Sequence, residues 1–137
     1  MKIALIALAA STALISACTD ANEAAEDKME RDAEASAIAA GPTEVALGLN
    51  EMQLLDAELI GADGTELGDV AALAHGGDGK VDRLLIEIED SNPDRFVHVP
   101  VADLKTVVRG DDTDLSTTMT KAQLAALPEV KLPAVTR

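Results

Sequence analysis

The chain is nearly devoid of aromatic side chains. Phe96 is the only aromatic residue among 137, and there is no Trp and no Tyr. Proteins that bind sugars or bases usually stack them on aromatic faces, so this sequence lacks the commonest means of holding such ligands. A folded interior must therefore be built from Val, Leu, Ile, Met and Ala.

Cysteine is equally scarce, because Cys18 is the only one. A single cysteine cannot form an internal disulfide. It also cannot build a thiolate metal site without partner ligands.

Positive charge is in short supply as well. The chain has 11 Lys and Arg against 25 Asp and Glu, which gives a net charge of −14. Nucleic acids attract clustered Lys and Arg, and no such cluster is present, so we expect no nucleic-acid partner. An anionic membrane surface would also repel the chain. Any attachment to a membrane must therefore come from an apolar anchor.

The N-terminus has the layout of an export signal. Lys2 precedes an apolar, Ala-rich run over residues 3–15, which is interrupted only by Ser11 and Thr12. The run is too short to span a bilayer comfortably, since about 20 apolar residues are needed. A charge followed by a short apolar stretch and small residues is typical of a secretory signal rather than of an internal core helix. We predict a signal peptide over residues 1–17.

The residues that follow specify the type of signal. Ile15-Ser16-Ala17-Cys18 resembles the lipobox of bacterial lipoproteins, in which the cysteine thiol receives a diacylglyceryl group and the signal is cut just before it. Lipidation at Cys18 is therefore the predicted link to the membrane, with each buried CH₂ contributing about 0.8 kcal/mol. The alternative is a plain secretory signal with a chance cysteine. Residue 19, directly after the cysteine, is Thr and not Asp, which resembles the sorting signal of lipoproteins sent to the outer membrane. We therefore expect an envelope protein that is anchored in the outer membrane and faces the periplasm.

Residues 18–43 are rich in Ala, Glu and Asp and contain little that could be buried. Ala and Glu favour helix, but like charges four residues apart, such as Glu26 and Glu30, oppose it. We predict an acidic tether that is partly helical, marginal in isolation and poor in apolar contacts with the rest of the protein. Gly41-Pro42 should end it.

Residues 44–137 alternate between strand patterns and turn residues. Leu84, Ile86 and Ile88 fall on one face of a strand, and Val97 and Val99 on one face of the next, so these five side chains are the predicted centre of the core. Short strands separated by regular turns indicate a mainly β fold, a small sheet closed into a barrel or folded on itself, and the barrel is the form that we predict. A capping box at Thr120 to Gln123, stopped by Pro128, predicts a short C-terminal helix.

The order of these motifs resembles the PRC-barrel domain, the barrel of the photosynthetic reaction-centre H subunit. Residues 56–70 are similar to its opening hairpin with a D-G turn, and residues 77–81 to its D-G-K-V turn. Residues 97–100 match its V-x-V-P strand, and residues 120–128 its T-x-x-Q-L-x-x-x-P tail. The resemblance covers residues 52–132. It implies a small β-barrel and a general tendency to contact proteins, without any single activity.

Catalytic or metal chemistry finds little support. His75 and His98, the only histidines, lie on half-exposed strands and are expected to be surface residues. The run Asp111-Asp112-Thr113-Asp114 is the best candidate for a cation, but the Gly and distant Glu of a calcium loop are missing, so an acidic hairpin turn is the preferred interpretation. Neither a Gly-x-Ser-x-Gly elbow nor a phosphate-binding glycine loop is found. We predict no catalytic residue, no cofactor and no metal ligand.

The sequence therefore favours a lipid-anchored, non-catalytic interaction or adaptor module that binds an unidentified envelope protein. A passive structural or small-molecule-binding lipoprotein is the first alternative. An envelope enzyme built on His75 or His98 is a less favoured one, because it lacks the features that an active site requires.

Overall fold

The computed structural model describes residues 17–133. The predicted signal peptide lies outside this range except for Ala17, and so does the side chain of Cys18. No helix within the described range combines the length and apolar character needed to cross a bilayer.

The described chain forms three α-helices, nine β-strands and one 3-10 turn. The helices are α1 (Ala17–Ala40), α2 (Glu51–Leu55) and α3 (Lys121–Ala125). The strands are β1 (Glu44–Ala46), β2 (Leu49–Asn50), β3 (Glu58–Ile60), β4 (Glu66–His75), β5 (Val81–Ile88), β6 (Phe96–Pro100), β7 (Leu104–Arg109), β8 (Asp112–Thr117) and β9 (Glu129–Val130). The 3-10 turn Val101–Asp103 joins β6 to β7.

The prediction of a mainly β fold is confirmed, but the prediction of a closed barrel is wrong. Seven strands form one sheet in the order β7-β8-β3-β4-β5-β6-β9, while β1 and β2 form a separate ribbon. All neighbours in the sheet are antiparallel except β3 and β8, which are parallel. The outer strands β7 and β9 are not paired with each other, and β9 is only two residues long. The sheet therefore stays open.

The predicted centre of the core is confirmed. In the register of β5 and β6, Leu84 lies opposite Val99 and Ile86 opposite Val97, and all four side chains are fully buried. Ile88 belongs to the same cluster. Alternation in two neighbouring strands places five large aliphatic side chains on one face, as period-two patterning requires.

Two short helices complete this core, and both begin with a capping box. Asn50 and Gln53 exchange side-chain and backbone hydrogen bonds at the start of α2, and Thr120 and Gln123 do the same for the predicted C-terminal helix α3. Leu54 in α2 and Leu124 in α3 are completely buried in the main cluster. Each helix therefore begins at a capping box and contributes one fully buried leucine to the core.

The acidic segment differs most from expectation. Residues 17–40 form one continuous helix, α1, which packs on the face of the sheet opposite the main core. Ala25 and Ala37 are buried, and Met29 packs against Ala71, Leu85 and Phe96. The segment is therefore a helix docked on the sheet and not a free tether, although its apolar contacts are few, as predicted: Met29 is the one large apolar side chain it places there.

Candidate functional site

A cleft separates α1 from the sheet along part of its length. Its volume is about 650 Å³, a size typical of small-molecule sites. Met29, Ala33 and Ser36 line it from α1, and Ala72, Leu73 and His75 line it from β4. The walls are mainly apolar, with one polar group formed by Ser36, Glu51 and His75 and another by the pair Lys28 and Asp32 on α1.

The first of these polar groups centres on Glu51, a carboxylate that the sequence analysis did not single out. Glu51 is the first residue of α2 and is only 5% exposed. One carboxylate oxygen, Oε1, lies 2.8 Å from Nε2 of His75, and the other, Oε2, accepts a hydrogen bond of 3.2 Å from Oγ of Ser36. A buried carboxylate requires such partners. Glu51 thereby ties together α1, α2 and the end of β4.

The order of these three groups determines what they can do chemically. In a nucleophilic triad, the imidazole lies between the hydroxyl and the carboxylate so that it can accept the hydroxyl proton. Here the carboxylate of Glu51 lies between Ser36 and His75. The hydroxyl of Ser36 therefore donates to an acid and has no imidazole base beside it. This arrangement favours a structural role, in which Glu51 connects α1, α2 and β4, over a catalytic one.

The second histidine lies elsewhere on the sheet. His98 is opposite Leu85 on β5, and Leu85 is in turn opposite Ala72 on β4, so a whole strand separates His98 from the strand of His75. Burial, followed by the positive charge of Arg83, lowers the pKa of His98. Its Nδ1 is buried and has no hydrogen-bond partner among residues 17–133. Both histidines are thus accessible in part, as expected: the side chain of His75 is 37% exposed while it pairs with Glu51, and His98 is half-buried.

The turn between β7 and β8 consists of Gly110 and Asp111 only, so residues 112–114 of the acidic run lie in strand β8 and not in the predicted turn. Asp114 is buried, and its Oδ1 accepts a hydrogen bond of 3.2 Å from the backbone N of Glu58. Its Oδ2 lies 3.3 Å from Nη1 of Arg109. Asp114 therefore holds β3, β7 and β8 together, and its carboxylate oxygens already have partners within the protein.

A cluster of carboxylates links α1 to the other end of the sheet. Oxygen atoms of Glu26, Glu30 and Glu87 lie within 4.8 Å of one another. Burial, followed by the charge of Glu26, raises the pKa of Glu87 to about 7. Burial, followed by the charge of Asp94, also raises the pKa of Glu26. Acidic groups alone are a weak indication of a cation site, and we assign no metal to this cluster.

Comparison with known proteins adds no family to this description: no family model matches the chain, and no curated protein is significantly similar to it. The resemblance to the PRC-barrel domain therefore stays a prediction.

Proposed function

We propose that this protein is a lipid-anchored, non-catalytic interaction module of the bacterial envelope, held in the outer membrane and facing the periplasm. The lipobox-like residues 15–18 support the anchor. Helix α1 begins at Ala17, so a lipidated Cys18 would lie at the very start of that helix. Ala25 is already buried seven residues later, which corresponds to about 10 Å of helix. A docked α1 would therefore hold the domain close to its membrane.

The observation that carries the interaction role is the free edge of the sheet at β7. This strand is paired only with β8, so the backbone groups along its other side have no neighbouring strand among the described residues. Val108, next to the last residue of this strand, is 71% exposed. An edge of this kind is a ready template for the addition of a strand from another protein.

Charge on β7 favours an acidic extended segment as the added strand. Lys105 and Arg109 place two positive side chains on this edge in a strongly acidic protein. If two copies of β7 paired antiparallel about Val107, Lys105 of each would lie opposite Arg109 of the other, and like charges in that position are destabilising. The two residues thus discourage self-association. Because Arg109 is already paired with Glu58 and Asp114, Lys105 supplies most of the attraction for the carboxylates of an added strand.

The assignment to the PRC-like class is also a proposal, and the placement of the motifs supports it. The two Asp-Gly turns join β3 to β4 and β4 to β5, with Gly64 and Gly79 at positive φ. The V-x-V-P motif lies in β6, and the C-terminal motif forms α3.

Two measurements in cells test the proposal. The first concerns the anchor: Cys18→Ser should abolish labelling by radioactive palmitate and leave the signal uncleaved, whereas Thr19→Ser should be processed normally. Membrane fractionation and signal removal unaffected by Cys18→Ser would refute the lipid anchor.

The second concerns the edge strand. A photo-crosslinking amino acid at position 108 should yield discrete protein adducts, and added salt should reduce them. The same probe at the exposed Glu44, on the separate ribbon, is the control. Equal adducts at both positions, or none at position 108, would argue against β7 as the interaction surface.

The cleft beside α1 supports a second candidate, a lipoprotein that binds a small apolar molecule. Its volume and its lining by Met29, Ala72 and Leu73 favour this role. The neutral probe N-phenyl-1-naphthylamine should then bind with a rise in fluorescence, and Ala33→Phe should abolish that rise by filling the cleft. No saturable binding by the unmodified protein would remove this candidate.

A further inference from the structure

The contact between α1 and the sheet has a small apolar component. Met29 is the one large apolar side chain that α1 places against the cluster of Ala71, Leu85 and Phe96. The other buried residues of the helix are Ala25 and Ala37, which have little surface to remove from water. A modest electrostatic change at this interface can therefore shift the balance between docked and undocked helix.

The charged groups at the contact between α1 and the sheet are all negative around Glu87. Carboxylates converge on Glu87 of β5 from the other elements around it. They are Glu26 and Glu30 from α1, Asp69 from β4 and Asp94 from the turn after β5. Asp27 of α1 adds further negative charge beside Glu26.

No Lys or Arg within residues 17–133 forms an ion pair with Glu26, Glu30 or Glu87. On α1, Lys28 is paired with Asp32, and Arg31 is exposed to solvent. Protonation of the cluster therefore relieves the repulsion between carboxylates across the interface.

We propose that α1 is a pH-operated latch, which stays docked on the sheet in mildly acidic solution and is released when the carboxyl cluster at Glu26, Glu30 and Glu87 ionises. In the docked state, a proton on Glu87 allows a hydrogen bond between the carboxyl groups of Glu87 and Glu26. Loss of that proton leaves adjacent negative charges on helix and sheet. Release separates them and returns both groups to water.

The direction of the pH dependence follows from proton linkage. Docking raises the pKa of Glu87 from its ordinary value of 4.5 to about 7, so the docked state binds protons more tightly than the released state. Stabilisation of docking is complete below about pH 4.5 and is lost as the pH rises through about 7. Because Glu87 is partly exposed to solvent, we expect docking to weaken about tenfold over this range, less than the full shift would give.

A second polar contact of α1 lies outside the carboxyl cluster: Oγ of Ser36 donates a hydrogen bond of 3.2 Å to the carboxylate of Glu51. Substitution of Glu87 leaves this contact in place, so it tests the carboxyl cluster alone.

Release would change the position of the domain, a consequence that rests on the proposed lipid anchor. The 24 residues of α1 span about 36 Å as a helix and up to about 80 Å when fully extended. Like-charge pairs oppose helix in the isolated segment, so released α1 should lose much of its helical structure. The domain would then be free to reach away from its membrane.

Thiol accessibility tests the latch in the full-length chain in detergent, with Cys18→Ser so that the introduced cysteine is the only thiol. Ala25→Cys places a thiol in the buried interface, and Ala35→Cys provides an exposed thiol on the same helix. The ratio of their maleimide labelling rates removes the effect of pH on the reagent. This ratio should rise about tenfold between pH 5 and pH 8.

Two further variants show whether the carboxyl cluster is responsible. Glu87→Gln should hold the ratio constant and low across the pH range. Glu34→Gln removes one charge from an exposed position of the same helix and should leave the rise unchanged. A ratio that does not vary with pH in the parent, or a rise that persists in Glu87→Gln, would overturn the proposal.

Hydrogen exchange provides a second measurement in a chain without an introduced cysteine, in case Ala25→Cys itself disturbs docking. After correction for intrinsic rates, amides of α1 should lose protection between pH 5 and pH 8, and Glu87→Gln should retain it. Equal loss of protection in both proteins would contradict the latch.

Discussion

Gly68 of β4 lies so close to Glu87 of β5 that a Cβ atom on Gly68 would be 2.1 Å from the backbone oxygen of Glu87. No side chain can occupy that space unless the two strands move apart. The glycine is therefore required by packing between strands and not by an unusual backbone angle.

Gly68→Ala should lower the free energy of unfolding by about 3 kcal/mol, the upper part of the range for an overpacked interior. Urea denaturation followed by circular dichroism measures the change. Gly77→Ala is the matched control, because nothing lies within 4 Å of a Cβ there, and it should leave stability nearly unchanged. Equal effects of the two substitutions would mean that β4 and β5 do not approach as described.

Ile86→Ala should cost about 2–5 kcal/mol of unfolding free energy, since the side chain is fully buried between the strands of the main core. The control is Val108→Ala, which truncates an exposed side chain and should cost less than about 0.5 kcal/mol. Chemical denaturation of both variants gives the comparison. An Ile86→Ala protein as stable as the parent would show that this face is not buried.

Removal of α1 should weaken the domain, contrary to what its composition suggests. A chain beginning at Val45 loses the packing of Met29 on Leu85 and Phe96 and exposes that face. We expect a loss of about 1–2 kcal/mol and a lower melting temperature, because Met29 is the one large apolar side chain whose contacts are removed. Thermal unfolding at pH 5, where the helix should be docked, measures the loss. Equal melting temperatures of the full and the shortened chain would indicate that residues 18–43 are a free tether.

His75→Ala should destabilise the protein by about 1–3 kcal/mol, because it leaves the buried carboxylate of Glu51 without its nearest partner. Ser36→Ala, which removes the longer hydrogen bond, should cost less. The loss of unfolding free energy in the double variant should differ from the sum of the two single losses, since both side chains contact the same carboxylate. Strictly additive effects would indicate that the three groups do not act as a unit.

Features that depend on nearby residues were predictable from the sequence. Alternation of large aliphatic residues identified Leu84, Ile86 and Val97 as core, because side chains along a strand point to opposite faces. The capping box at Thr120 identified α3 for a similar reason, since both partners lie within four residues.

Features that depend on residues far apart in the chain were not predictable from the sequence. Nothing near Glu51 shows that His75, 24 residues later, would reach its carboxylate. The small side chains of Ala25 and Ala37 carry no strong hydrophobic signal, and their burial depends on a sheet that forms elsewhere in the chain. The failure to close into a barrel depends on which strands become edges, and that is a property of the whole topology.

The parallel pairing of β3 with β8 has a consequence for the order of assembly. It places Leu59 beside Leu115, so the two strands become neighbours only after nearly the entire sheet-forming sequence has been synthesised. Pairings between residues so far apart in sequence close large loops and form slowly. If residues 1–17 direct export as we expect, this delay would keep the chain unfolded for longer. An unfolded chain can pass through a narrow membrane channel, and the sheet would then form on the far side of the membrane.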